Sequence, residues 1–253
     1  MHSLSAVIIT YNEARNIRRC LESILPVADE IVVVDCYSSD ETQSICRDYP
    51  VRFIQHPFEG YIEQTRYAAS QATHDHILTI DADECLTEEL RRSILEKKRH
   101  WDLAGYKMNR LTNYCGRWVR HSGWYPEWKL RLYDRTRGEW RGTNPHYSFK
   151  VNPGEQFGYI KGDMLHYSYT SISDHVARTN KYSQIMADEY FKQGKSCHLV
   201  IILGHGLHKF FKDYVLKKGF LDGYTGLLVC LISAFGAFLK YAKLRENYEQ
   251  SSR

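Results

Sequence analysis

An apolar segment that stops abruptly in a block of acids constrains this chain more than any other feature. Ile77-Leu78-Thr79-Ile80 reads as a strand buried on both faces, and Asp81-Ala82-Asp83-Glu84 follows without a break. A strand of that kind belongs in a parallel sheet covered by helices. The acids then stand at its C-terminal end, where open α/β sheets bind ligands. Two carboxylates one residue apart can hold a hard divalent cation and share it with substrate phosphates. A solvated acidic turn would carry the same letters, so the rest of the chain decides between the two readings.

The neighbouring segments repeat one unit. Residues 4–9, 30–34, 51–55 and 76–80 are short runs rich in β-branched residues and read as strands. Between them, Ile17, Cys20, Leu21, Ile24 and Leu25 recur at helical spacing up to Pro26. Ser38 and Glu41 fit a capping box that opens a second helix. Residues 60–72 read as a third helix, and Thr87 as the cap of a fourth that carries Leu90, Ile94 and Leu95. Such alternation means a mostly parallel sheet with helices on both faces, an α/β fold. It would bring Thr10, Asp35, Asp81 and Asp83 to one sheet edge, which favours a ligand site over an accidental acidic turn.

After Trp101 the rhythm changes. Residues 104–109, 129–133 and 147–151 read as strands, and Lys129, Arg131 and Tyr133 alternate with Leu130 and Leu132 as a solvated or ligand-facing side against a buried one. Residues 173–193 turn helical, with Ser173 as the N-cap and Gly194 as the stop. From residue 195 onward nine Lys/Arg face four Asp/Glu, so the excess positive charge of the whole chain, +4, belongs to this tail. That pattern points to a local anionic partner such as a membrane surface, with no general nucleic-acid face. Residues 227–239 carry no charge, a run shorter than the ~20 residues that span a bilayer. A basic helix pair lying on the membrane surface is expected, with an ordinary core hairpin as the alternative. The chain divides on this reading into a catalytic domain, 1–194, and a helical tail, 195–253. Seven cysteines without C-x-x-C spacing read as small buried residues in a reducing compartment. A strand begins at residue 4 with no leader-like run before it, so a cytosolic protein is expected.

Taken together, Ile8-Ile9-Thr10-Tyr11-Asn12-Glu13, Ile31-Val32-Val33-Val34-Asp35 and Asp81-Ala82-Asp83 resemble the family 2 glycosyltransferases of the GT-A fold. Tyr125-Pro126-Glu127-Trp128-Lys129-Leu130-Arg131-Leu132-Tyr133, Leu165-His166-Tyr167-Ser168-Tyr169 and Lys218-Gly219-Phe220-Leu221-Asp222-Gly223 extend the likeness. They are similar to bacterial β-1,4-glucosyltransferases of lipopolysaccharide core biosynthesis.

The resemblance implies an inverting transfer of a sugar, glucose first, from a UDP-sugar to a lipid-linked saccharide at the inner face of the membrane. It implies a divalent metal, Mg²⁺ or Mn²⁺, held by Asp83 with Asp81, and His166 as a further ligand. Asp81 would also touch the nucleotide-sugar, Asp35 the base or ribose, and Thr10, Tyr11 and Glu13 the nucleoside. Arg131 would lie near the pyrophosphate, where its fork suits phosphate oxygens. Glu127 is the expected catalytic base, with Glu84 and Asp134 as competitors. His146 stands where relatives have His followed by an acid, and Tyr147 replaces that acid. Two other readings compete. A nucleotidyltransferase would carry a Gly-rich loop after the first strand, yet the first glycine is Gly60. A non-catalytic saccharide-binding scaffold would have no need of Asp81 and Asp83.

Overall fold

The computed structural model describes residues 1–144, 146–195 and 198–251, with 143, 146 and 199–201 described by backbone alone. Cys197 lies outside them. Of the other six cysteines, Cys20, Cys46, Cys85 and Cys230 are buried, as expected, and Cys115 is exposed. The chain forms two compact units, residues 1–111 with 127–167, and residues 112–126 with 168–253.

In the first unit, β1 (Leu4–Thr10), β2 (Glu30–Asp35), β3 (Arg52–Gln55) and β4 (His76–Asp81) run parallel in the order β3-β2-β1-β4. Successive strand residues point to opposite faces. Leu4, Ala6 and Ile8 therefore pack with Leu78 and Ile80 against α1 (Ile17–Ile24), α2 (Thr42–Arg47) and α4 (Glu88–Arg99). On the other face Val7, Val32 and Val34 meet Ile62 and Ala68 of α3 (Tyr61–Gln71), together with Trp140 and Phe149. Those two aromatics come from a hairpin of β9 (Gly138–Thr143) and β10 (His146–Val151). The register pairs Thr10 with Asp35 and Ile9 with Asp81, so the polar strand ends form one row.

Beyond β4 the sheet turns antiparallel, through β8 (Glu127–Asp134), β6 (Gly105–Tyr114), β11 (Phe157–Tyr169) and β5 (Glu84–Leu86). His76 of β4 pairs with Asp134, and Leu78 with Leu132. That direction carries Glu127 and Arg131 toward the C-terminal end of β4 and leaves Asp134 at the opposite end. Of the side of β8 read as solvated or ligand-facing, Arg131 and Tyr133 are buried, not solvated, because Arg131 finds carboxylates and Tyr133 bonds Thr79 and Trp140.

In the second unit, β7 (Arg117–Val119) pairs with residues 112–114 at the end of β6. Three helices follow: α5 (Ile172–Lys192), α6 (Leu199–Phe211) and α7 (Gly223–Ser251). A π-type turn (Lys212–Leu216) and a 3-10 turn (Gly219–Asp222) join the last two. The α7 helix packs against both α5 and α6. Tyr114, Trp124, Tyr169 and His175 form an aromatic cluster, in which His175 Nδ1 and the Tyr114 hydroxyl lie 3.2 Å apart.

Four details differ from the sequence reading. Ser38 caps no helix: its N–H and hydroxyl go to Asp35, and α2 starts at Thr42. Ser171, two residues before Ser173, caps α5 by accepting from the Asp174 N–H. The helical tail does not begin at 195, since α5 belongs to the same unit as α6 and α7. The charge-free run is the middle of a helix of 29 residues, continued past Lys240 because Lys243 donates to Asn180 and Ser183 of α5. Gly219–Ser251 is long and apolar enough to cross a membrane, and 22% of its most apolar window is buried.

Candidate active site

The site grows from the row of polar ends on β1, β2 and β4. At the end of β1 the Thr10 hydroxyl is buried without a hydrogen-bond partner among the described residues. An orphaned polar atom of that kind calls for a ligand group. Tyr11, next in the chain, is 59% exposed. The loop is held by side chains: Asn12 Oδ1 accepts from the Ser39 N–H at 2.8 Å, and the Glu13 N–H donates to Thr42 Oγ1 at 2.8 Å. Asp35 is fully buried, and its two oxygens accept from the Ser38 N–H at 2.8 Å and the Ser38 hydroxyl at 2.5 Å. The structure thus gives Asp35 a second task, pinning the Ser38 loop beside Asn12.

The acids after β4 part company. Asp81 Oδ2 accepts from Arg131 Nη2 at 2.6 Å. Asp83 Oδ2 lies 3.3 Å from His166 Nε2. The register explains the second pair: β5 and β11 align Glu84 with His166, and the Tyr167 N–H donates to the Asp83 carbonyl. Asp83 and His166 are brought together, and Asp81 is tied to arginine instead. The expected set of three metal ligands is therefore a pair here, and among the described residues no group of three or more His, Cys, Asp or Glu could hold an ion. The pair still fits a divalent cation. Neighbouring ligands about 2.1 Å from an octahedral ion stand roughly 3.0 Å apart, close to the observed separation. One carboxylate and one imidazole also leave positions open for further oxygen ligands.

Glu84 sits beneath this edge with no exposed side-chain surface. Its Oε2 accepts from the Asp81 N–H at 3.0 Å, and its Oε1 lies 3.3 Å from Arg110 and 3.7 Å from Arg131. Burial, then the Asp81 charge, push its carboxyl above the usual range, against the pull of Arg131 and Arg110. A group so enclosed holds the turn and cannot reach an acceptor. Glu127 is half-buried. Arg110 binds its Oε2 at 2.7 Å and Lys129 its Oε1 at 2.7 Å, and its N–H donates to Asn109. Burial alone would raise the Glu127 carboxyl, but Arg110 and Lys129 outweigh it and hold it below the usual range. Asp134, the other competitor for the base, accepts from Thr136 at the far end of β8 and is excluded by place.

The Arg110, Asn109 and Glu84 contributions were not assigned from sequence. Arg110 joins Glu84 to Glu127, and Asn109 holds both the Glu127 backbone and Asp163. A lone charge inside a strand was the one available signal for Arg110. Tyr147 also reaches this region: its hydroxyl meets Thr65 at 3.3 Å, and burial followed by the Asp81 charge raises it. The His146 side chain lies outside the described residues.

Residues 5–157 match the family model described as glycosyl transferase family 2. An uncharacterized glycosyltransferase of Rickettsia felis is 33% identical, over 99% of this chain and 92% of its own length. The lipopolysaccharide core biosynthesis glycosyltransferase LpsC of Rhizobium meliloti is 28% identical, over 99% of this chain and 94% of its own. Among solved structures, glucosyl-3-phosphoglycerate synthase from Mycobacterium tuberculosis, in complex with Mn²⁺, UDP and phosphoglyceric acid, overlaps 33% of this chain and 34% of its own, with 24% identity and a TM-score of 0.31. The mixed α/β architecture, with its parallel half and antiparallel extension, is of the GT-A kind that the sequence led us to expect. The chain belongs to glycosyl transferase family 2.

Proposed function

We propose that this glycosyltransferase is metal-dependent and inverting, and that it moves a hexose, glucose first among candidates, from a UDP-sugar to a lipid-linked saccharide such as the lipopolysaccharide inner core. The observation that carries the reading is the pairing of Asp83 with His166 at the C-terminal end of β4, in a unit where Arg131, Asp81, Glu84, Arg110 and Glu127 form one chain of ion pairs. The name of the Rhizobium relative supports the acceptor class.

On this reading the nucleoside lies over Thr10 and Tyr11, and the Thr10 hydroxyl gains the partner it lacks. Asp35 holds the Ser38 loop that walls this pocket. Asp83 and His166 would hold the cation, which when bound offsets the charge of the departing diphosphate. Asp81 fixes the Arg131 fork, and Glu84 fixes the turn that carries Asp81. Glu127 takes the proton of the acceptor hydroxyl as that oxygen attacks the anomeric carbon from the face opposite the diphosphate. Arg110 and Lys129 keep Glu127 ionised and aimed.

The second unit supports a place at the cytoplasmic membrane surface. Leu203, Leu207, Phe211 and Val215 recur every four residues along α6 and the turn after it, and all four are exposed. Lys209, Lys212, Lys217 and Lys218 accompany them. An apolar stripe flanked by lysines suits an anionic bilayer surface.

Calorimetric titration with UDP-, GDP- and dTDP-sugars, with and without Mn²⁺ or Mg²⁺, tests the donor assignment. Metal-dependent binding of one UDP-sugar is expected. Absence of binding by every nucleotide-sugar under every metal condition would overturn it.

A further inference from the structure

A cavity of about 320 Å³ lies in the second unit, and none of the residues that line it was given a catalytic role above. Its walls include His121, Tyr125, Pro126, Lys217 and Lys218. Two lysines, one imidazole and an aromatic ring converge there, and no part of the transfer chemistry uses them.

The frame of the cavity is built with unusual economy of space. Asp222 is the keystone: its carboxylate accepts from the His121 N–H at 2.8 Å, from the Arg120 N–H at 3.2 Å, and meets His121 Nδ1 at 2.9 Å. The Ser122 N–H donates to the Lys217 carbonyl at 3.2 Å, which fastens the loop to the turn. A Cβ on Gly219 would come within 2.7 Å of Cys230 Sγ and 2.9 Å of the Asp213 carbonyl, so the turn can be this close only with glycine there. The loop and the turn therefore hold the lysines in fixed places.

The charges of this region do not cancel at the cavity. Asp222 is engaged by the loop, and the buried Asp213 carboxylate pairs with Lys209 at 2.6 Å without a directed hydrogen bond to either oxygen among the described residues. Among the described residues neither Lys217 nor Lys218 has a carboxylate within ion-pair distance. Lys218 is also held at φ 55°, a left-handed conformation that glycine takes without penalty and lysine does not. A lysine kept where glycine would be easier points to use of its side chain. Of the lining, Leu216 is 65% exposed, and Phe220, Leu221 and Tyr224, a few residues further along the chain, are also exposed apolar side chains.

We propose that this cavity binds the phosphate ester of a membrane-anchored molecule, with Lys217 and Lys218 on the phosphate oxygens and the exposed apolar side chains of the same turn against the acyl layer. Ammonium groups suit phosphate as point charges, and those apolar side chains select a phosphate carried on lipid over a free one. The inference rests on the lipid-facing reading of the second unit.

The test uses the full chain and dihexanoyl phosphatidylglycerol below its micellar concentration, which removes the diffuse attraction of a charged bilayer. Binding is followed by calorimetry for the wild type, Lys218→Gly, Lys217→Gln and, as an equal change of charge outside the cavity, Lys212→Gln. Binding to the wild type should weaken by at least about tenfold in the first two variants and by less than about twofold in the third. Equal losses in all three variants would mean that net charge, not the cavity, sets the binding, and would overturn the cavity. Inorganic phosphate as tight as the phospholipid would overturn the lipid source. Lys218→Gly relieves the backbone, so its melting temperature should not fall, and loss of binding cannot then be loss of fold. UDP-sugar binding is measured on the same samples: a wild type that binds donor but no phospholipid defeats this inference alone.

Discussion

The two units treat charge in opposite ways. In the first, the acids after β4 and at the start of β8 each face a basic group of the same unit: Asp81 meets Arg131, Asp83 meets His166, Glu84 meets both arginines, and Glu127 meets Arg110 and Lys129. In the second, Asp222 is engaged by the frame, and among the described residues Lys217 and Lys218 have no carboxylate within ion-pair distance. Internal pairing fixes geometry before a substrate arrives, so the first unit spends no reorganisation at the reacting centre. Leftover charge instead recruits a partner and leaves the association sensitive to salt. On the function proposed above, the first arrangement suits a reaction site and the second a docking site.

The largest break in this comparison should come from Asp83→Ala. Turnover should fall by at least about a thousandfold, about 4 kcal/mol of barrier, while the melting temperature stays within a few degrees. A variant with full turnover would remove Asp83 from the chemistry. Next, Arg131→Ala strips the guanidinium from buried Glu84. Leaving one member of a buried pair alone costs about 3–5 kcal/mol, read as a lower midpoint in urea, with Arg131→Lys recovering part of it. An unchanged midpoint would show that the ion-pair chain is not structural.

Glu127→Gln should lower kcat by roughly a hundredfold with donor affinity unchanged, as expected for a lost general base. If kcat holds, the proton goes elsewhere. The smallest effect concerns the second unit and acid. Burial lowers His175 to about 4 from 6.5, with Asp174 pulling it up and Arg178 down. Its folded value lies below its unfolded one, so the full stability is present above pH 6.5 and is lost as the pH falls toward 4. The loss reaches at most about 3 kcal/mol, at 1.36 kcal/mol per unit. Urea midpoints measured between pH 7 and 4 should show this slope, and His175→Phe should flatten it.

The strand-helix alternation and the row of strand-end acids were legible because each rests on local pattern. Continuous apolar runs mark strands buried on both faces, and Thr87 could be read as a cap because its target N–H is three residues away. The misreadings share one cause, a local signal overruled by a nearby competitor. Ser38 looked like a cap, but the Asp35 carboxylate takes its N–H and hydroxyl. Ser173 lost to Ser171, which offers its oxygen two residues earlier. The partners of Glu84 and Asp83 could not be read at all. Arg110, Arg131 and His166 meet them only through antiparallel pairing of β8, β6 and β11, and no periodicity encodes which strands become neighbours.

That pairing has a consequence for the order in which the molecule is made. The acids at 81, 83 and 84 leave the ribosome before the arginines at 110 and 131 and well before His166. The parallel half can close early, through neighbouring strands and short crossovers. The three-residue strand β5 must wait for β11 to exist before it has an edge to join. Glu84 is then a buried-to-be carboxylate without a counter-ion for much of synthesis, which keeps this edge open until the last strands arrive. A nascent chain stopped before residue 127 should hold its first four strands yet leave the acidic turn accessible to protease.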